Sequence, residues 1–392
     1  MLPGTDNPVV RQRSIVFARN IALESPFRTN THNYAHQFAR AGWRTTWLPK
    51  PATPMNFFRL GRVAGEKYGI KQRRLWFFFS YGGKKLNSYK VLWDLFPNFL
   101  LAPGRAALRE AGLIEPDIFF SGSLETASLR RLLKPKAMVY NAHDAFSLYP
   151  RAPASIRAIE AQVMHEATLT VTTAETTREL LLKQYGVAPE RVLNLGHGVE
   201  NERYAQAATM PEATELKTIP RPRVVTLGNF DLQDAELTAR VVFGLPEVSF
   251  VFIGSGLHGN PLKARLQDAK NVHFLGPIYQ EDLPSRLIHC DVGLIAYDST
   301  LRDSRLYGSN PTKRYDYSAA GMQIVSVDLL EYQKNPSAMY VAKSPEEFVE
   351  SVRRAVYSPR YSREQMRELA MANDWKFKYE ALLDRLTSLH GI

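Results

Sequence analysis

Lys313 and Asp316 stand three residues apart in a segment, 308–327, that reads GSNPTKRYDYSAAGMQIVSV. Pro311 suits the first turn of a helix, where its missing N–H is no loss, and Ser309 or Asn310 just before it can cap that turn. Gly321 fits the stop before a buried strand. The head of such a helix offers free N–H groups and a partial positive charge, which suits a diphosphate, and Lys313 adds a full charge in the same turn. Asp316 lies on the same face, placed to accept hydrogen bonds from a sugar hydroxyl. A phosphate holder at one end and a hydroxyl acceptor at the other describe a nucleotide-sugar site. A second carboxylate, Asp144, follows the apolar run ending at Tyr140 in MVYNAHDAF. Transfer to a hydroxyl needs a base to take its proton, and Asp144 can serve; His143 beside it is the rival base. The plainer alternative is that Asp144 caps the next segment.

Elements that would position these residues alternate along the chain. Strands are expected at Ser14–Ala18, Trp43–Leu48, Asp117–Phe120, Ala137–Tyr140, Leu169–Thr172 and Arg191–Leu195. Helices between them span about Thr31–Ala41, Glu125–Leu133, Ala154–Glu166 and Thr176–Tyr185. The alternation resumes with strands Val224–Leu227, Ser249–Ile253, Val272–Leu275, Val292–Ala296 and Ala338–Val341. Helices are expected at Ala235–Phe243, Leu283–His289 and Pro345–Tyr357, then one last helix near Arg363–Leu389. This is the βαβ pattern of parallel sheets, and ligands of such sheets lie beyond the carboxyl ends of the strands, where Asp144 falls. Residues 201–221 are polar, Pro-marked and without a period, so they read as a linker. The expected division is 1–200, the linker 201–221, 222–360, and a tail 361–392.

At 392 residues and 45% hydrophobic the chain can bury two cores. One cysteine excludes an internal disulfide. The first residues lack a secretory apolar stretch, and no run approaches the ~18 apolar residues that span a bilayer, so a cytoplasmic protein or one lying on a membrane surface is expected. The net charge of +11 is unevenly placed: from Lys50 to Lys90 there are ten basic residues against one acid, Glu66. Arg73, Arg74, Lys84 and Lys85 are interleaved there with Trp76, Phe77 and further aromatics. Such a mixture attracts anionic lipid headgroups, and a peripheral contact with the inner face of the cell membrane is one reading. The other is a buried strand at Trp76–Phe79 beside a solvated basic loop. Nucleic acid would feel the same field, but no nucleic-acid motif accompanies it.

The segment with Pro311, Lys313, Asp316, Tyr317, Ala319 and Gly321 resembles the donor-binding segment of GT-B glycosyltransferases. From about residue 14 to residue 350 the order of segments is most similar to glycosyltransferase family 70, the GumK family of xanthan glucuronosyltransferases. The resemblance implies an α/β GT-B architecture, two Rossmann-like parallel-sheet domains facing across a cleft, with a C-terminal helix crossing back to the first domain. It implies transfer of a sugar, glucuronic acid among the options, from a UDP-sugar to a lipid-linked oligosaccharide in exopolysaccharide assembly, with Asp144 as the catalytic base.

The same resemblance assigns further residues. Tyr297 matches a nucleotide-contacting Tyr, the backbone of Ile278 would read the base, and Gly254-Ser255-Gly256 resembles the glycine turn of the second domain. Asn310 and Thr312 flank Lys313 in the donor segment, and Phe230 ends a strand where a ring could pack on the nucleotide. Arg28, Asn30 and His32 follow the first strand and, with His143, are candidates for the acceptor; a helix cap at Asn30 and a surface His32 are the alternative. Gly196-His197-Gly198 also matches the family string and reads either as ligand contact or as a hinge. Asp316, Thr312 and Pro277 depart from the family pattern. No metal-ligand cluster or DxD stands in the sequence, so no metal cofactor is expected and Lys313 would replace Mg²⁺. Retaining relatives carry a Glu eight residues before the position of Asp316, and Gly308 stands there, which favours inversion. A UDP-sugar 2-epimerase of the same fold, a soluble dimer, and a non-catalytic sugar- or membrane-binding protein are the competing readings.

Overall fold

The computed structural model describes residues 12–25, 28–53, 64–75, 90–95, 108–144, 154–256, 261–298 and 308–392. The first sheet holds β1 (Ser14–Ala18), β2 (Arg44–Leu48), β3 (Ala64–Lys67), β4 (Ile70–Arg73), β5 (Ile118–Ser121), β6 (Ala137–Ala142), β7 (Leu169–Thr172) and β8 (Val192–Asn194). Their order is β3-β4-β2-β1-β5-β6-β7-β8, parallel throughout except for the β3–β4 hairpin. The second sheet holds β9 (Arg223–Asn229), β10 (Ser249–Ser255), β11 (Val272–Gly276), β12 (Val292–Ile295), β13 (Gln323–Val327) and β14 (Tyr340–Ala342). It is ordered β11-β10-β9-β12-β13-β14 and every pair is parallel. The expected α/β architecture of two Rossmann-like parallel sheets therefore holds. Strands such as β1, β5 and β6 are buried along their whole length because helices cover both faces, so they read as continuous apolar runs. Strand order reverses between β1 and β5 in one sheet and between β9 and β12 in the other, and a ligand crevice opens at such points.

Three segments differ from expectation. Residues 201–221 are no free linker: Asn201–Ala207 is a helix, and Tyr204, Leu216 and Ile219 are buried in the second domain's core. Their apolar anchors are too irregularly spaced to show a period. The final helix is two, Arg363–Met371 and Trp375–His390, because Asp374 caps the second with its side chain on the Lys376 N–H at 2.9 Å. Trp375, Leu382 and Leu386 of that second helix are buried with Phe17, Phe38 and Trp47 of the first domain. Each side chain contributes about 1.5–3 kcal/mol by leaving water. The tail thus lies against the first sheet, beside an isolated bridge pairing Val199 with Asp374. The third difference is the β3–β4 hairpin, which places Lys67, Tyr68, Lys71 and Arg73 in the open at the sheet edge and leaves Arg74 half-buried. Of the other expected membrane contacts, Trp76, Phe77, Lys84 and Lys85 lie outside the described residues. Among those described, no helix is long and apolar enough to cross a membrane.

Candidate active site

The floor of the cleft is built from strand ends of the first sheet. Arg19, the residue after β1, donates to the Gly122 carbonyl at the end of β5 and lies 3.5 Å from His143 Nδ1. Burial lowers its pKa to about 10, against the opposing pull of Asp144 and Glu125. At the end of β6, Asn141 exchanges amide hydrogen bonds with Asn30 at 3.1 and 3.0 Å, which fixes the head of the helix Asn30–Arg40 over the sheet. His143 and Asp144 follow, partly exposed, with His143 Nε2 3.7 Å from Asp144 Oδ2.

The wall is the helix Lys313–Ala319 of the second domain. It starts two residues later than the proline suggested, with Thr312 at its N-cap and no side-chain cap. Asn310 does not cap it: its Nδ2 instead donates to Thr173 O of the first domain and to Tyr315 Oη, both at 2.8 Å. Lys313 is buried, its Nζ 4.7 Å above the Tyr297 ring. The Gln233 amide, turned so that its nitrogen donates to Ala296 O, takes a hydrogen bond from that Nζ at 3.2 Å. No carboxylate is among the groups that perturb Lys313, and burial pulls its pKa to about 7.

Asp316 is buried one turn further on. Its Oδ1 accepts from Tyr204 Oη at 2.8 Å and Gln280 Nε2 at 3.3 Å. Burial, then the charge of Glu200, outweighs these bonds and lifts its pKa to about 7. It lines an interdomain cavity with Arg28, Asn30, Thr312, Gln280 and Trp375. The folded Asp316 pKa lies above the unfolded one, so the folded state holds the extra proton between about pH 4 and 7 and loses stability as pH rises through that window. Asp316→Asn is accordingly expected to raise the melting temperature by a few degrees, a gain that grows from pH 4 to 7 and then levels. Melting curves across that range check it; a pH-independent gain would point to packing instead.

Several expected contacts are corrected. Phe230 is 1% exposed and meets Phe252 edge-on at 5.8 Å, so it belongs to the core and cannot stack on a nucleotide. His32 is fully buried: Nδ1 accepts from the Thr29 N–H at 3.1 Å, Nε2 donates to Ala22 O at 3.1 Å, and Trp47 lies over its ring. Burial drives its pKa to about 4, leaving a neutral capping residue rather than an acceptor contact. Arg28 pairs with Glu200 at 3.5 Å and with Glu281, so its charge is met by two carboxylates in a bridge between the domains. Gly254 and Gly256 have positive φ, and a Cβ on either would come within 1.9 Å of Gly228 O or Asn229 Oδ1. Close approach of the β9 and β10 ends accounts for both glycines without a ligand. Ile278 packs partly buried on the second core, with exposed Pro277 before it.

Thr173 ties the two sides together. Its hydroxyl donates to His143 O at 3.2 Å, beside Asp144, and its carbonyl accepts from Asn310, three residues before Lys313. Sequence reasoning missed Thr173, Arg19, Tyr204 and Gln280. An aromatic inside a polar stretch was the available signal for Tyr204.

Residues 29–203 match the family model described as Glycosyltransferase Family 4, a little under half of the chain. A search of curated proteins found no match. Among solved structures, a sucrose-phosphate synthase from Thermosynechococcus elongatus superposes with TM-score 0.71 at 12% identity, over 96% of this chain and 99% of that one. Anabaena HepE in complex with UDP and glucose gives 0.69 at 13%, over 95% and 99%. A trehalose-6-phosphate synthase, studied for glycosyl transfer with retention, gives 0.67 at 14%, over 96% and 99%. Fold, cleft and family match point the same way: the chain has GT-B architecture, and residues 29–203 are similar to a glycosyltransferase family.

Proposed function

We propose that the protein moves a sugar from a UDP-sugar to a lipid-linked oligosaccharide on an anionic membrane surface, as a step of exopolysaccharide assembly. The observation that supports this reading is the Thr173 tie, which joins the residue before Asp144 to the segment three residues before Lys313. In this reading Asp144 takes the proton from the acceptor hydroxyl as the glycosidic bond forms. Lys313 and the head of its helix balance the charge left on the departing diphosphate, so no metal is needed. UDP as the nucleotide is supported by the UDP complexes of HepE, and glucuronic acid, from the family 70 likeness, is the first sugar to test. Inversion is supported by Gly308, which offers no side chain where retaining enzymes place a Glu; the retaining neighbour makes the product's anomeric configuration the decisive readout. Membrane contact is supported by the exposed basic hairpin edge.

One experiment addresses these claims together. Radiolabelled UDP-glucuronate, and separately UDP-glucose, is incubated with the protein on anionic vesicles loaded with bacterial glycolipid extract and EDTA. Label is expected in the organic phase, in a β-linked product from the α-linked donor. Label that stays aqueous rejects the lipid-linked acceptor, an α-linked product rejects inversion, and loss of turnover with EDTA rejects metal independence. Changing Arg73, Arg74, Lys84 and Lys85 to Gln is expected to cut vesicle co-sedimentation at least fivefold, roughly 1 kcal/mol or more from charges at a lipid surface. Equal sedimentation removes the membrane claim.

A further inference from the structure

Gly196-His197-Gly198 follows β8 at the seam between the domains, and the two glycines have different causes. A Cβ on Gly198 would sit 2.8 Å from the Trp375 ring and 3.0 Å from Asn373 O, so packing accounts for it. Gly196 has φ +65, and the place its Cβ would take is 3.2 Å from Tyr315 Oη, 3.8 Å from Lys378 Nζ and 3.9 Å from Asn310 Nδ2. Three polar groups thus converge on one point beside a residue with no side chain.

Donors outnumber acceptors here, and the one unpaired acceptor among the described residues of this corner is the buried Asn310 Oδ1. Tyr315 Oη already accepts from Asn310 Nδ2 at 2.8 Å and Arg314 Nη2 at 3.0 Å, which leaves its own proton to give. Arg314 Nη1 and His197 Nδ1 are buried and have no hydrogen-bond partner among the described residues. Glu331, the carboxylate acting on Arg314, is committed to the Glu175 and Thr176 N–H groups, the Thr176 hydroxyl and the Asn335 amide. The charges that act on His197 come from His143, Arg314 and Lys378, which depress its pKa to about 3 after burial has done most of the lowering. Lys378 donates to the neutral Asn373 Oδ1 at 3.0 Å. Buried donors left unpaired are costly, and a cluster of them is relieved by an oxyanion.

We propose that this corner is a subsite for one small oxyanion group of a substrate, a phosphate or a carboxylate, received by Arg314, Lys378, Tyr315 and His197 over the open backbone of Gly196. The subsite is separate from the Lys313 site and does not depend on where the nucleotide lies.

The test uses the full chain, with Lys378→Gln and Arg314→Gln as variants and Lys378→Arg as the charge-keeping control. Inorganic phosphate, titrated at constant ionic strength, is expected to raise the melting temperature of the parent saturably. Both Gln variants need at least tenfold more phosphate, the Arg variant less than threefold more, and UDP affinity moves less than twofold in all. Should Arg314→Gln not fold, the only partly buried Lys378 carries the comparison. Tighter binding of UDP-glucuronate than UDP-glucose by the parent, lost in Lys378→Gln, assigns the group to a donor carboxylate. Equal affinity for the two donors assigns it to an acceptor phosphate. The same phosphate response in parent and Lys378→Gln overturns the subsite, as does UDP affinity falling in step with phosphate affinity.

Discussion

Asp144→Asn is expected to slow transfer by about 10²–10⁴-fold, the range general-base catalysis supplies, while UDP affinity stays within twofold of the parent. The substitution keeps size and hydrogen-bonding shape and removes only the capacity to take a proton. Asp144 follows a strand of the first sheet and Lys313 belongs to the second domain, so nucleotide affinity is the internal control. Asp144 is partly exposed, and its charge acts on the buried Arg19 guanidinium. His143 lies 3.7 Å away and is the natural competitor. Single-turnover UDP release from Asp144→Asn and His143→Gln separates the two. A drop in the first that is absent in the second assigns the base to Asp144. Near-parental turnover in Asp144→Asn, with loss in His143→Gln, would move the role one residue back.

What could be read from the sequence follows the range of the interaction concerned. Buried strands and amphipathic helices are local patterns, so Ser14–Ala18, Ala154–Glu166, Leu169–Thr172 and Pro345–Tyr357 fall where periodicity places them. The opening of a cleft at strand ends follows from the βαβ alternation. The fate of single polar residues does not, because distant partners decide it. Asn310 reads as a cap and becomes a bridge because Thr173, 137 residues away in sequence, offers a carbonyl. Tyr204 reads as linker and becomes the partner of Asp316 across 112 residues. Phe230 stands at a strand end, as a nucleotide-stacking ring would, yet the Asn229 side chain caps the short turn that buries the ring.

Lys313→Gln is expected to weaken UDP binding by about 1–3 kcal/mol, roughly five- to 150-fold, the loss of a bond between an ammonium and a diphosphate. The pH dependence of that affinity is the sharper readout. In the free protein burial holds the Lys313 pKa at about 7, below its usual value of 10.5. The unfolded chain therefore binds more protons between about pH 7 and 10.5, and this group lends the free protein stability as pH rises through that window. A bound diphosphate reverses the balance by supplying the missing anion, so Lys313 takes up a proton on binding between about pH 7 and its higher pKa in the complex. The parent's log Kd should then rise with a slope approaching one per pH unit above about pH 7. UDP itself contributes nothing to that slope, since its terminal phosphate ionises near 6. Lys313→Gln should show a flat profile over the same range, and calorimetry in two buffers of different ionisation enthalpy should count close to one proton taken up by the parent at pH 8. Asp316, whose pKa also lies at about 7, faces Tyr204 and Gln280 rather than the Tyr297 and Gln233 side where Lys313 Nζ sits, so Asp316→Asn should keep the slope. A parent whose affinity is level from pH 6.5 to 8.5 would show that the diphosphate rests on other cations, and the donor would have to be placed elsewhere in the cleft.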